Sequence, residues 1–375
     1  MKLPFRSPWP PKPISLTPRG PARTRVLLSY LRGPFEQEPD SAAARSHTNW
    51  FECRAMAEAF LNEGCKVDVV ERNDPRVVPT REYGVVIDIH NNLERWAPLL
   101  GPNCRKVLHA TGAHWLTQNK AELSRLLALR ERRGISLRPR RQSIPVAAIE
   151  AADCATILGN AFTMESFAFA AKPLHRIPIS SAYTFDWIEG KNWADAAKRF
   201  LWMGSFGMVH KGLDLVLEAF AKSPDCHLTI CGRPEKEQDF FQHYKKELTG
   251  LPNIQCAGWM EPSSPEFLNI LRTHGSMIYP SCSEGGGGAL IHAMHGGLLP
   301  VATRAASVDL QDFGVPIGRG TVDGVRQSMQ DVLDLGPNEL EQRCRASRNH
   351  VLHHHTRETF QKNYRHFAGQ LLLSL

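Results

Sequence analysis

Short apolar runs alternate with amphipathic stretches over most of this chain. TRVLLSYL (24–31) reads as a strand, and WFECRAMAEAFLNEG after it as a helix carrying Phe51, Met56, Phe60 and Leu61 inward. KVDVVE is a second strand. YGVVIDIHNN and RKVLHATGAH are β-branched runs that end in polar residues, and IEAADCATILGN follows later. Strands separated by helices of about a dozen residues indicate a parallel sheet covered on both faces. This pattern fills 23–182. After the polar AYTFDWIEGKNWADAAK it restarts: RFLWMGS is a strand, GLDLVLEAFAK a helix with Leu213, Val216, Leu217 and Phe220 at helical spacing, and HLTICG, NIQCAG and SMIYPS are further strands. The fold class is therefore α/β, with two Rossmann-like doubly wound domains, the second over 183–352. The last segment, 353–375, places Phe360, Tyr364, Phe367 and Leu371 on one helix face with Thr356 as N-cap.

Composition adds bounds. With 375 residues and 42% hydrophobic content, the chain can build two cores. No apolar run approaches the roughly 18 residues of a membrane span. The opening MKLPFRSPWPPKPISLTPRGPARTR has prolines and charges where a signal peptide needs an apolar stretch, so 1–22 is expected to be a disordered basic arm on a cytoplasmic protein. Nine cysteines without a C-x-x-C pair read as reduced thiols. The net charge of +7 suggests an anionic partner without saying which.

The segment PSCSEGGGGALIHAM draws most of the chemistry. In a doubly wound sheet, ligands sit outside the carboxyl ends of strands, where loops enter helices. Gly285, Gly286, Gly287 and Gly288 follow the strand SMIYPS and precede a helix, so a phosphate or sugar hydroxyl could lie on bare backbone N–H groups there; the alternative is a slack loop.

Around that loop the sequence resembles the retaining glycosyltransferases of the two-domain GT-B type, especially the large family-four group. Pro280, Ser281, Glu284 and Gly285, then Ala293, Met294, Gly297 and Pro300, match its strand-end motif with one extra residue. GSFGMVHKGLDLVLEAF resembles the segment carrying its K-G pair, and LTICG and NIQCAGW resemble its next strands. The first half resembles it in VVIDIHNN, KVLHATGAH and IEAADCATILGN, so the likeness covers most of 24–370. It implies domains facing across a cleft, a nucleotide-sugar donor held by the second and a glycan or lipid-linked acceptor by the first. A C-terminal helix would cross back to the first domain, and neither a metal nor a resident cofactor would be needed. It implies polysaccharide biosynthesis, in many members at the inner membrane face.

Carried over by residue, the resemblance gives Lys211 to the diphosphate, Glu284 to the donor sugar hydroxyls and His109 to the sugar from across the cleft. Gly204, Ser205, Gly232 and Arg233 join the four glycines on the donor side. His90 and His114 are candidates for the acceptor surface, with His47 and Asn49 in the loop that replaces the family's Gly-Gly turn. Two departures stand out. His292 occupies the position of the second glutamate, which holds the ribose, and Ser205 and Phe206 stand where an arginine is usual. These departures keep open a second class of function, an inactive GT-B scaffold that binds a glycan, a nucleotide or a protein.

Seven arginines lie from Arg125 to Arg141 against a single acid between Arg125 and SLRPRRQ, Glu131. With Leu123, Leu126 and Leu127 they could lie on an anionic membrane, clasp a phosphorylated lipid, or simply face water. Nucleic acid is not expected, because no aromatic interleaving accompanies them. The histidines of HVLHHHTRE lack a carboxylate or cysteine at a metal-ligand spacing, so no metal is expected there.

Overall fold

The computed structural model describes residues 11–38, 41 and 48–375. The first sheet is built from β1 (Ile14–Leu16), β2 (Arg25–Tyr30), β3 (Lys66–Glu71), β4 (Val85–Asp88), β5 (Arg105–Ala110), β6 (Cys154–Ile157) and β7 (Leu174–Arg176), in the order β1-β3-β2-β4-β5-β6-β7. All pairs are parallel except β1 with β3. The second sheet is wholly parallel and contains β8 (Arg199–Gly204), β9 (His227–Gly232), β10 (Ile254–Gly258), β11 (Ser276–Tyr279), β12 (Leu299–Ala302) and β13 (Val315–Pro316), ordered β10-β9-β8-β11-β12-β13.

Each buried strand is a continuous apolar run, as a sheet covered on both sides requires. One face of the first sheet packs Val26, Val67 and Val107 beneath the helix Thr48–Asn62, through Met56 and Phe60. The other carries Leu27, Val86 and Leu108. The helix Arg357–Leu373, capped by Thr356 Oγ1 accepting from the Thr359 backbone N–H at 3.1 Å, lays Phe360, Tyr364 and Phe367 onto the first of these faces. The chain thus ends on its first domain. Both crossing segments are pinned: Ser180 donates its N–H and hydroxyl to Glu52 Oε1 (2.8 and 2.9 Å), and His355 Nδ1 lies 2.9 Å from the Ile179 carbonyl oxygen.

The expected disordered arm over 1–22 needs correction. Residues 14–16 form an antiparallel edge strand on β3, and Ser15 donates to buried Asp68 (2.6 Å), which also takes Arg25, Arg81 and Tyr83. Residues 1–10 of that arm lie outside the described residues.

Candidate active site

Two loops of the second domain meet at one carboxylate. β8 runs into a tight loop closed by the Lys211 N–H donating to the Gly207 carbonyl (2.8 Å), and β11 runs into Pro280 and the glycine loop. There Glu284 Oε1 accepts from Lys211 Nζ (2.7 Å), the Tyr279 hydroxyl (2.9 Å) and the Ser281 hydroxyl (3.0 Å). Lys211 Nζ also donates to the Tyr279 oxygen at 2.7 Å. Burial pushes the Glu284 carboxyl up; the Lys211 charge, with His210 and the hydrogen bonds, outweighs it and holds the carboxyl down at about 2. All three donors fall on Oε1, and the Glu284 side chain keeps 12% of its exposure. The residue is therefore an anion fixed through one of its two oxygens.

The helix Gly288–His295 starts beside this carboxylate. Its N-cap, Gly287, has φ +58°, a left-handed conformation that glycine adopts without strain, and no side chain caps the helix. Gly288 and Ala289 are half-buried, so the first-turn N–H groups and the positive end of the helix remain approachable.

The glycine loop also serves the seam between the domains. A β-carbon on Gly285 would collide with the Thr111 carbonyl of the first domain. What approaches that backbone so closely is the chain itself, and this corrects the expectation that Gly285 leaves room for a ligand. Gly286 rests on Ile179. Thr163 Oγ1 donates to the Glu284 carbonyl (3.3 Å), and Asn160 donates from its backbone to Ser307 Oγ (3.1 Å) and from its side chain to the Val308 carbonyl (3.2 Å).

Much of the arginine run belongs to the same seam, which corrects its reading as a membrane or water-facing band. The helix Trp115–Arg133 buries Leu129 in the core of the second domain. Arg125 donates to the Pro280 carbonyl (2.9 Å). Arg132 bonds Asp214 (2.8 Å) and Glu218 (2.8 Å), Arg133 bonds Glu247 (2.9 Å) and Arg140 bonds Asp239 (2.6 Å). Asp214 is fully buried and Glu218 nearly so, so these ion pairs are tightly placed. Among the described residues, no helix is long and apolar enough to cross a membrane.

Other expected site residues are scattered. His109 does not face the cleft: it is fully buried, with Nδ1 2.7 Å from Thr156 Oγ1 and its ring against Tyr30 and Tyr364, under the C-terminal helix. Burial holds its imidazole down at about 3, so it is a neutral core residue. His292 is likewise removed from any ribose role, because Tyr183, Phe185 and Phe267 enclose its ring. Its Nε2 is buried and makes no hydrogen bond. Gly204 and Gly232 lie opposite each other on β8 and β9, and a β-carbon on either would strike Trp202 or the Gly204 carbonyl, so they serve packing rather than an open cradle. Ser205 and Arg233 are exposed at those strand ends, Arg233 over the Trp259 ring at 5.7 Å. His90 and His114 share the wall of a cavity of about 510 Å³ at the carboxyl end of the first sheet. Asn49 is half-buried on the helix Thr48–Asn62, away from their loops in sequence, and His47 lies outside the described residues.

Sequence reasoning missed Tyr279, the donor beneath Glu284, although it stands next to the quoted motif. It also missed Arg141 as a site residue: its side chain packs on Gly207 in the Lys211 loop, and its charge acts on Glu284 and His210.

Comparison with known proteins finds the family described as glycosyl transferases group 1 over residues 197–333, the part that contains Lys211 and Glu284. Sucrose-phosphate synthase from Thermosynechococcus elongatus is 15% identical, with 94% of this chain and 100% of that one covered and a TM-score of 0.62. Anabaena HepE, solved with UDP and glucose, is 12% identical over 94% of this chain and 100% of that one, with a TM-score of 0.55. Against S. aureus TarM, solved with UDP, α-GlcNAc-glycerol and fondaparinux, identity is 12% and the TM-score 0.52. That match covers 76% of this chain but only 55% of TarM. At these identities the likeness establishes the fold. A comparison with curated proteins finds no match.

Proposed function

We propose that the chain is a divergent GT-B glycosyltransferase of the group 1 type that moves a sugar from a nucleotide-sugar donor to a glycan or lipid-linked acceptor with retention of anomeric configuration. The observation that carries this reading is the Lys211–Glu284 pair at the mouth of an uncapped helix N-terminus.

In this reading the donor diphosphate lies on the free N–H groups of Gly288 and Ala289, where the helix dipole favours negative charge. As the anomeric C–O bond breaks, charge grows on the departing diphosphate, and these donors together with Lys211 Nζ stabilise it without a metal or a resident cofactor. Glu284 Oε2 accepts hydrogen bonds from donor sugar hydroxyls while Oε1 stays locked by Lys211, Tyr279 and Ser281. A carboxyl held down at about 2 is a poor base near neutral pH, which argues against Glu284 deprotonating the acceptor. The departing phosphate oxygen then takes the acceptor proton on the face it leaves, and that same-face attack gives retention. Uridine diphosphate is the donor nucleotide to test first, since HepE and TarM were both solved with UDP.

The test follows UDP release and the anomeric proton coupling of the product by NMR, with UDP-glucose and UDP-N-acetylglucosamine as donors. The control is Lys211→Met with Glu284→Gln, which removes both charges together and leaves no buried ion alone. Release with a retained α-coupling in the wild type and none in the double variant is expected. Equal release from both proteins would sink the assignment of the site, and an inverted coupling would sink retention.

A further inference from the structure

The cavity that His90 and His114 share lies outside the carboxyl ends of β3, β4 and β5, and its charge is one-sided. Arg72, Arg140 and Arg141 line it, and among the described residues no aspartate or glutamate does. Glu150 acts on His114 by its charge without lining the cavity, and two other nearby carboxylates are occupied elsewhere. Asp88 accepts from the backbone N–H groups of His90 (3.0 Å) and Asn92 (2.9 Å) and from Asn92 Nδ2 (2.8 Å). Glu122 accepts from the backbone of Arg140 and Arg141 (both 2.8 Å) and from Gln142 (2.8 Å).

Arg140 is held by Asp239, whereas the Arg72 and Arg141 guanidinium groups make no ion pair among the described residues. Arg72 lies over the Tyr30 ring, and its Nε is buried without a hydrogen bond. His114, 8% exposed, likewise has a buried Nε2 without a partner. These two atoms are themselves shielded from the cavity, but the side chains that carry them both line it, and buried polar atoms of folded proteins are nearly always satisfied. Planar guanidinium groups match the paired oxygens of a phosphate or carboxylate.

We propose that this cavity holds an anionic oxygen group, phosphate or carboxylate, on the acceptor, gripped by Arg72 and Arg141. The inference rests on the transferase reading for the word acceptor, though not for the anion itself. Continuity with the reaction centre supports it. Thr111 lines the cavity, and its carbonyl abuts Gly285, next to Glu284. Arg141 lines it too, and its side-chain carbons rest on Gly207 of the Lys211 loop. A volume of about 510 Å³ falls in the range of small-molecule sites. An acceptor anchored by its charge on Arg72 would present its other end toward the donor sugar.

The test is calorimetric titration of the full chain with glucose, glucose 6-phosphate and glucuronate, and with vesicles of phosphatidylcholine with or without phosphatidic acid, repeated with Arg72→Gln and Arg141→Gln. At least one anionic probe should bind tenfold or more tighter than its neutral counterpart, and each variant should lose most of that gain. UDP binding by Arg72→Gln should stay near that of the wild type, which shows that the variant is folded. Preference for the sugar phosphate or glucuronate assigns the anion to a free sugar, and preference for the phosphatidic acid vesicles assigns it to a lipid. If no anionic probe is preferred, or the preference survives both substitutions, the inference is overturned. Anion binding without UDP binding would instead remove the transferase reading and leave the anion site standing.

Discussion

Replacing Arg132 by alanine removes the centre of the arginine clamp. In the structure its guanidinium spans Asp214 (2.8 Å) and Glu218 (2.8 and 3.0 Å), the latter also held by the Tyr244 hydroxyl at 2.6 Å. Asp214 is fully buried, and burial pushes its carboxyl up even though Arg125 and Arg132 oppose the shift. Breaking one side of a buried ion pair strands the other charge and costs about 3–5 kcal/mol. Arg132 keeps 25% side-chain exposure and Arg125 still faces Asp214, so the lower end, about 3 kcal/mol, is expected. The loss should fall on the seam rather than on either core. Small-angle scattering should report a larger radius of gyration, and urea unfolding should split or shift toward lower urea. Asp214→Asn in the Arg132→Ala background should recover part of the loss, with a coupling of roughly 1–3 kcal/mol. A cost below about 1 kcal/mol with unchanged scattering would refute the view that these arginines hold the domains together.

Three other substitutions probe different parts of the account. Glu52 is fully buried, and burial raises its carboxyl to about 7 against the hydrogen bonds from Ser180. The unfolded chain releases this proton near 4.5 and the folded chain only near 7, so the Glu52 contribution to stability falls as pH rises through that window. Glu52→Gln should therefore gain about 3 kcal/mol relative to the wild type between pH 4.5 and pH 8, measured by urea unfolding; a difference that does not change with pH would contradict this. Gly285→Ala should destabilise by about 1–3 kcal/mol, because its β-carbon has nowhere to go against Thr111; an unchanged unfolding midpoint would mean that the two loops do not touch in solution. His292→Phe should keep donor binding and raise stability by about 1 kcal/mol, because it removes a buried nitrogen without a partner from an aromatic surround. Loss of UDP affinity in that variant would return His292 to the donor site.

Element by element, the legible features were those that a short window encodes. β2, β3, β5, β8 and β9 are β-branched or apolar runs, and Thr356 lies one position before a helix with Phe360, Tyr364 and Phe367 on one side. β1 was hidden, because three residues between prolines become a strand only when β3 offers an edge. His109 shows a subtler limit. Alternation along β5 puts it on the face of Val107 and away from Leu108, but only the docking of the last helix makes that face the buried one. The arginine run misled for a similar reason. Its partners Asp214, Glu218, Asp239 and Glu247 lie about a hundred residues further on, and nothing local to Arg132 announces them. Lys211 and Glu284 were readable because their neighbours in sequence, a strand end and a glycine loop, are also their neighbours in space.

The most direct measurement is titration calorimetry of UDP, GDP and ADP against the wild type and the Lys211→Met, Glu284→Gln double variant. Binding of one nucleotide by the wild type, weakened at least tenfold in the folded double variant, is the predicted result. Equal affinity in both proteins, or no binding of any nucleotide by the wild type, would contradict a donor site built on Lys211 and Glu284.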